Sequence, residues 1–202
     1  DANITAATTF SNTGLLVLGT AAGDDNLTFT GGITAIAQAG AGGADADAII
    51  IGGDIATTNA LVKLGSSTAG ITLVADSTIN TDTGVGAIDF DGVIIGAGKD
   101  LTLTAGTGAI TSALAISGID VLTVASSSST IFTGSVSATT VTLTDTTDAG
   151  NIEFDGNLTA TTLSVAAQAF DVEINEDANI TAAAVFSNTG LLVLGTAAGD
   201  DN

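Results

Sequence analysis

Residues 1–26 read DANITAATTFSNTGLLVLGTAAGDDN and residues 177–202 read DANITAAAVFSNTGLLVLGTAAGDDN; only Thr8 against Ala184 and Thr9 against Val185 differ. A stretch laid down twice at a fixed offset belongs to architectures that repeat. The offset of 176 positions therefore marks residues 1–176 as one long unit, expected to be a continuous β-solenoid, and residues 177–202 as the start of the next copy. Met is absent altogether, and the chain is expected to be a segment of a longer tandem protein. A finer period lies inside the unit. Leu101/Leu103, Leu122/Val124, Val141/Leu143 and Leu163/Val165 fall about 20 residues apart, and Ile110, Ile131, Ile152 and Val172 form a second series with the same step. Gly86-Ala87-Ile88-Asp89-Phe90-Asp91-Gly92 returns as Gly150-Asn151-Ile152-Glu153-Phe154-Asp155-Gly156. Two interleaved series with one period require at least two strands per turn of a coil.

Local patterning agrees. Leu101-Thr102-Leu103-Thr104, Val141-Thr142-Leu143-Thr144 and Phe170-Asp171-Val172-Glu173-Ile174 alternate apolar and polar, the period of a half-buried strand. Between such runs stand Asp82-Thr83-Gly84, Gly106-Thr107-Gly108, Gly42-Gly43 and Asp148-Ala149-Gly150, whose residues tolerate tight corners. Ala-rich stretches such as Ile33–Ala41 and Ala182–Val185 are short and uncapped, and they read as strand or loop. A sandwich core usually needs large aromatics, whereas this chain offers seven Phe and no Trp or Tyr. The fold class expected is all-β: a parallel β-helix, or β-solenoid, with coils of about 20 residues stacked about 4.8 Å apart.

The stretches ITLVADSTINTDTGVGAIDFDG (71–92), KDLTLTAGTGAITS (99–112) and SATTVTLTDTTDAGNIEFDGNLTATTLSVAAQAFDVEIN (137–175) resemble the repeats of large exported bacterial surface proteins of the filamentous haemagglutinin type. That resemblance implies a right-handed parallel β-helix, secretion across an outer membrane, and a role in adhesion or the extracellular matrix. It carries over no catalytic residues.

Composition excludes much ordinary chemistry. With no His and no Cys there is no imidazole base, no thiolate nucleophile and no zinc site of the usual kinds. Lys63 and Lys99 are the two basic residues, and a formal charge of −20 repels nucleic acid and acidic membrane surfaces. No window approaches the roughly 18 apolar residues of a membrane-spanning helix, so no membrane insertion is expected. Zero Cys with so few bases fits an extracellular protein on a bacterial cell surface.

Carboxylates are the reactive groups in quantity. Asp89/Asp91, Glu153/Asp155 and Asp171/Glu173 are i, i+2 pairs on outward strand faces, about 7 Å apart. Such pairs serve glycoside hydrolysis when aromatic platforms hold the sugar. Those platforms are missing here, and the pairs read as a solvated face; no enzyme is expected. Calcium suits carboxylate, amide and carbonyl oxygens better, and the candidate ligands are Asp24, Asp25 and Asn26 (repeated at 200–202), Asp45 and Asp47, and Glu176 and Asp177 with Asn179. Residues 23–29 and 42–47 resemble incomplete glycine-aspartate calcium repeats. The pairs Thr28/Thr30, Thr102/Thr104, Thr142/Thr144 and Thr159/Thr161 form an ice-binding array only if their ladders hold one strict register. Sequons begin at Asn3, Asn26, Asn157 and Asn179. The irregular stretch Ala37–Gly53 is the natural place for a loop that recognises glycans or a partner surface.

The function expected is structural: a segment of a tandemly repeated extracellular β-solenoid, forming a filament or adhesin by self-association or by continuation in a longer chain. A calcium-binding adhesive module, an ice-binding solenoid and a carbohydrate-active enzyme are the alternatives.

Overall fold

A computed structural model describes residues 1–11, 13–22, 25–36, 45–144 and 150–195, with only the backbone described at 45–48. Among the described residues there is no helix. Within those described residues, parallel strands form one 11-stranded and one nine-stranded sheet, stacked as a solenoid with turns about 22 residues apart. The expected all-β solenoid is what folds, with a slightly longer coil.

Each coil crosses three faces. Strand Ile94–Thr104 shows how: Ile94 and Ile95 pair with Ile71 and Thr72, while Leu101–Thr104 pair with Ser77–Asn80, a separate strand of the coil below. Ile94 and Leu101 thus lie on a first and a second face of one bent sheet. Gly98 sits between them with φ +76, in open space, and Ala97 takes φ 52 beside it. The nine-stranded sheet is the third face.

The columns follow the sequence series closely on the second face. Leu101, Leu122, Val141 and Leu163 stack in register, as do Leu103, Val124, Leu143 and Val165, all buried. On the third face Ile88, Ile110, Thr130, Ile152 and Val172 stack, in steps of 22, 20, 22 and 20 residues. Here the expected series needs a correction: Thr130 occupies the interior column and Ile131 faces outward, half-buried. The reason is the pleat. Phe132 stacks on Phe154 at a centroid distance of 5.1 Å inside the core, and period 2 then puts residue 130 inside and residue 131 outside. Thr130 meets the cost of burial by bonding its hydroxyl to that of buried Ser127, 2.8 Å away.

Phe90, Phe132, Phe154 and Phe170 are fully buried, the largest side chains of a narrow core otherwise built of Ile, Leu and Val. Corners stack as tightly as strands. A Cβ on Gly108 would lie 2.1 Å from the Gly86 carbonyl oxygen one coil below, so the backbones can pass only without one.

Candidate functional site

The outer surface carries the chemistry, and its carboxylates are mostly engaged with backbone. Asp54 Oδ1 accepts the N–H of Thr78 at 2.7 Å, and Asp76 Oδ1 that of Asp100 at 3.0 Å. Asp100 Oδ1 accepts from Val121 at 3.0 Å, and Asp171 Oδ1 from Leu191 at 2.6 Å. In each case the donor is the residue stacked directly on the aspartate one coil later, by the registers Ile55↔Ile79, Leu101↔Ser77, Leu101↔Leu122 and Val172↔Leu192. An ionised acceptor makes a stronger bond than a neutral one, and these staples satisfy amides that the sheet ladder misses at its margins. Sequence reasoning took the acids for solubility or metal binding. The missed signal was the place of two of them: Asp100 and Asp171 each stand directly before an alternating apolar run.

The outward column of the third face is Lys63, Asp89, Thr111, Ile131, Glu153 and Glu173. Lys63, stacked on Thr34 of the coil below, is held between Asp89 and Asp91, with Nζ 2.6 Å from Asp91 Oδ2. The hydrogen bonds it donates to these two carboxylates raise its pKa. Thr111 donates to the other oxygen of Asp89 at 2.9 Å. Beside Asp91 a surface groove of about 400 Å³ is lined by Ser66, Ser67, Ala113 and Leu114.

Further along, like charges stack. Glu173 lies in register on Glu153, and Asp155 is two residues away on the same outer face. Asn175 Nδ2 donates at 2.9 Å to both Glu153 Oε1 and Asp155 Oδ1. Desolvation first, then the charges of Asp155 and Glu173, raise the pKa of Glu153, and the Asn175 bond only partly offsets them. The expected outward orientation of Asp89/Asp91, Glu153/Asp155 and Asp171/Glu173 is observed, and all six are half-buried.

The candidate calcium ligands are scattered. Asp24 and residues 200–202 lie outside the described residues, as do the side chains of Asp45 and Asp47, whose backbone opens strand Asp45–Ala56. Asp25 Oδ2 accepts both the hydroxyl and the N–H of Thr20 at 2.7 Å, and these bonds lower its pKa. Asn26 gives its N–H to Asp1 Oδ1 at 2.9 Å. Glu176 and Asp177 are exposed at the opposite end of the solenoid, where the Asp177 carbonyl accepts from Leu158. Among the described residues no three acidic, His or Cys side chains are grouped to hold a metal.

Thr78, Thr102, Thr123 and Thr142 stack in one outward column of the second face, followed by Ser164. The flanking outward columns are mixed: two residues earlier along the same strands stand Asp76, Asp100, Val121 and Thr140, and two residues after Thr78 and Thr102 stand Asn80 and Thr104. The sequon residues Asn3, Asn26, Asn157 and Asn179 are all exposed. The stretch Ala37–Ala44, within the loop expected to recognise a partner, lies outside the described residues. Comparison with protein-family models, with curated proteins and with solved structures finds no match.

Proposed function

We propose that the chain is a load-bearing segment of a tandemly repeated extracellular β-solenoid, part of a bacterial surface filament or adhesin. The observation that carries this reading is the continuity of the stack. One column runs Ala2, Leu27, Ile55, Ile79, Leu103, Val124, Leu143, Val165 and Phe186, passing through every coil without interruption. Backbone bonds along the axis resist extension, and the inward apolar columns supply stability at about 25 cal/mol per Å² buried. Acidic staples tie coils together on the outside, and their charge keeps neighbouring rods apart in solution. The surface-protein repeats that the sequence resembles point to the same extracellular role.

Electron microscopy of the purified chain, and of a longer chain made of consecutive 176-residue units, tests this. Straight rods whose length grows in proportion to the number of units are expected. Globules, or beads joined by flexible links, would overturn the reading.

A further inference from the structure

The duplicated sequence occupies different faces at its two occurrences. In the first copy Ala2–Ile4 lies on the second face, Thr8–Phe10 on the third and Leu16–Gly19 on the first. In the second copy Ala178–Ile180 pairs with Leu158–Ala160 on the first face. Ala183–Phe186 pairs with Thr162–Val165 on the second, and Leu192–Leu194 pairs with Val172–Ile174 on the third. All three strands have moved back by one face. The repeat of 176 residues therefore spans one face less than eight coils: Ala2 shares its column with Phe186, while its sequence counterpart Ala178 lies one face earlier.

The same side chains point inward in both settings. Ile4 stacks on Phe29 and Ile180 on Ala160; Phe10 pairs with Ala35 and Phe186 with Val165; Leu16 and Leu18 pair with Ile49 and Ile51, and Leu192 and Leu194 with Val172 and Ile174. Every face asks for the same thing, an apolar residue at alternate positions, so the coil is indifferent to which face it covers. The two occurrences also use opposite edges. Among the described residues, 2–19 pair only with the coil that follows, and 178–194 only with the coil that precedes. Together they define both neighbours of one coil. Leu192 and Leu194 are 37% and 63% exposed, on an edge with no described coil stacked upon it.

Resting on the tandem-solenoid reading, we propose that the edge formed by Ala178–Phe186 and Leu192–Leu194 is a docking surface for the next copy of this unit, which continues the stack turned by one face. The strand at 178–180 takes Leu158–Ala160 beneath it and Leu27–Phe29 of the next copy above it. The outward column that holds Lys63 and Glu153 then moves to a new face with each copy and returns after three. Like charges so placed wind around the rod rather than forming one acidic side, and each copy advances it by about 37 Å at the usual strand spacing.

The chain contains no Cys, so engineered pairs report stacking directly. The test uses a chain of residues 1–202 followed by residues 27–202, in which the junction coil occurs once. Asn179→Cys is expected to cross-link, under mild oxidation or with a short bismaleimide, to Thr159→Cys below and to Thr28→Cys of the second copy above. The single 202-residue chain should already give the Thr159 link and, with Asn3→Cys and Thr28→Cys, the matching link at its other end. Thr142→Cys with Ser164→Cys, stacked within the unit, is the control. Capture of Asn179→Cys by Ala166→Cys instead of Thr159→Cys would mean that the copies continue without turning, since Ala2 shares the column of Val165, and the proposal falls. Failure at the junction with the control intact also overturns it while leaving the solenoid standing. Failure of the control as well removes the solenoid reading itself.

Discussion

Asp100 lies directly above Asp76 and gives its backbone N–H to the Asp76 carboxylate at 3.0 Å, while its own carboxylate accepts the N–H of Val121 at the same distance. Three consecutive coils are stapled through one residue. Acidity in this chain is thus part of the fold as well as of the surface.

Replacing Asp100 by Ala removes an ionised acceptor and leaves the Val121 amide to water. The expected loss is about 1–2 kcal/mol, with faster hydrogen exchange concentrated at Val121. Asp100→Asn keeps an oxygen in place and should lose about half as much. Equal exchange rates at Val121 in Asp100→Ala and the parent would show that the staple contributes nothing.

The stacked Glu153 and Glu173 work the other way. Because the folded pKa of Glu153 is raised, the folded state holds its proton more tightly than the unfolded state. Stability then falls as pH rises from the ordinary glutamate value through the raised one, and the cost is complete above it. Glu153→Gln should stabilise the protein at neutral pH by about 0.5 kcal/mol, the scale of a cross-strand like-charge pair, and by nothing in acid below that window. Thermal melts of both forms across pH measure this; a constant difference at every pH would contradict it.

Inside, Phe154→Ala should cost about 3–5 kcal/mol, since it opens a cavity and takes away the stacking partner of Phe132. In a solenoid the damage spreads to neighbouring coils first, so protection should be lost around Phe132 and Ile174 before the ends. Phe154→Leu should recover most of it. Uniform loss along the whole chain would point to an all-or-none fold instead.

Strand content should be the same in chelator and in millimolar calcium. The reason is the engagement of Asp25, Asp54, Asp76, Asp100 and Asp171 with backbone amides, which holds the coils without a cation. Circular dichroism checks it, and a gain of strand signal on adding calcium would show that metal completes the fold.

Much of the architecture was legible in the chain itself. Leu101, Leu122, Val141 and Leu163 announce a column because a solenoid coil has one length and its strand one period, and both are written in the spacing of apolar residues. Phe90 and Phe154 were legible as core for the same reason. Local alternation, however, says only that every second residue is buried. Whether Thr130 or Ile131 turns inward was settled by the coils above and below, through the stacking of Phe132 on Phe154. The aspartate staples were hidden because acceptor and donor lie more than 19 residues apart and meet only across the coil. Residues 1–19 and 177–195 make the limit plain, since nearly one sequence covers different faces at the two ends. Alternation is a property of the pleat and travels with the sequence; the face a strand covers depends on the coil it rests on.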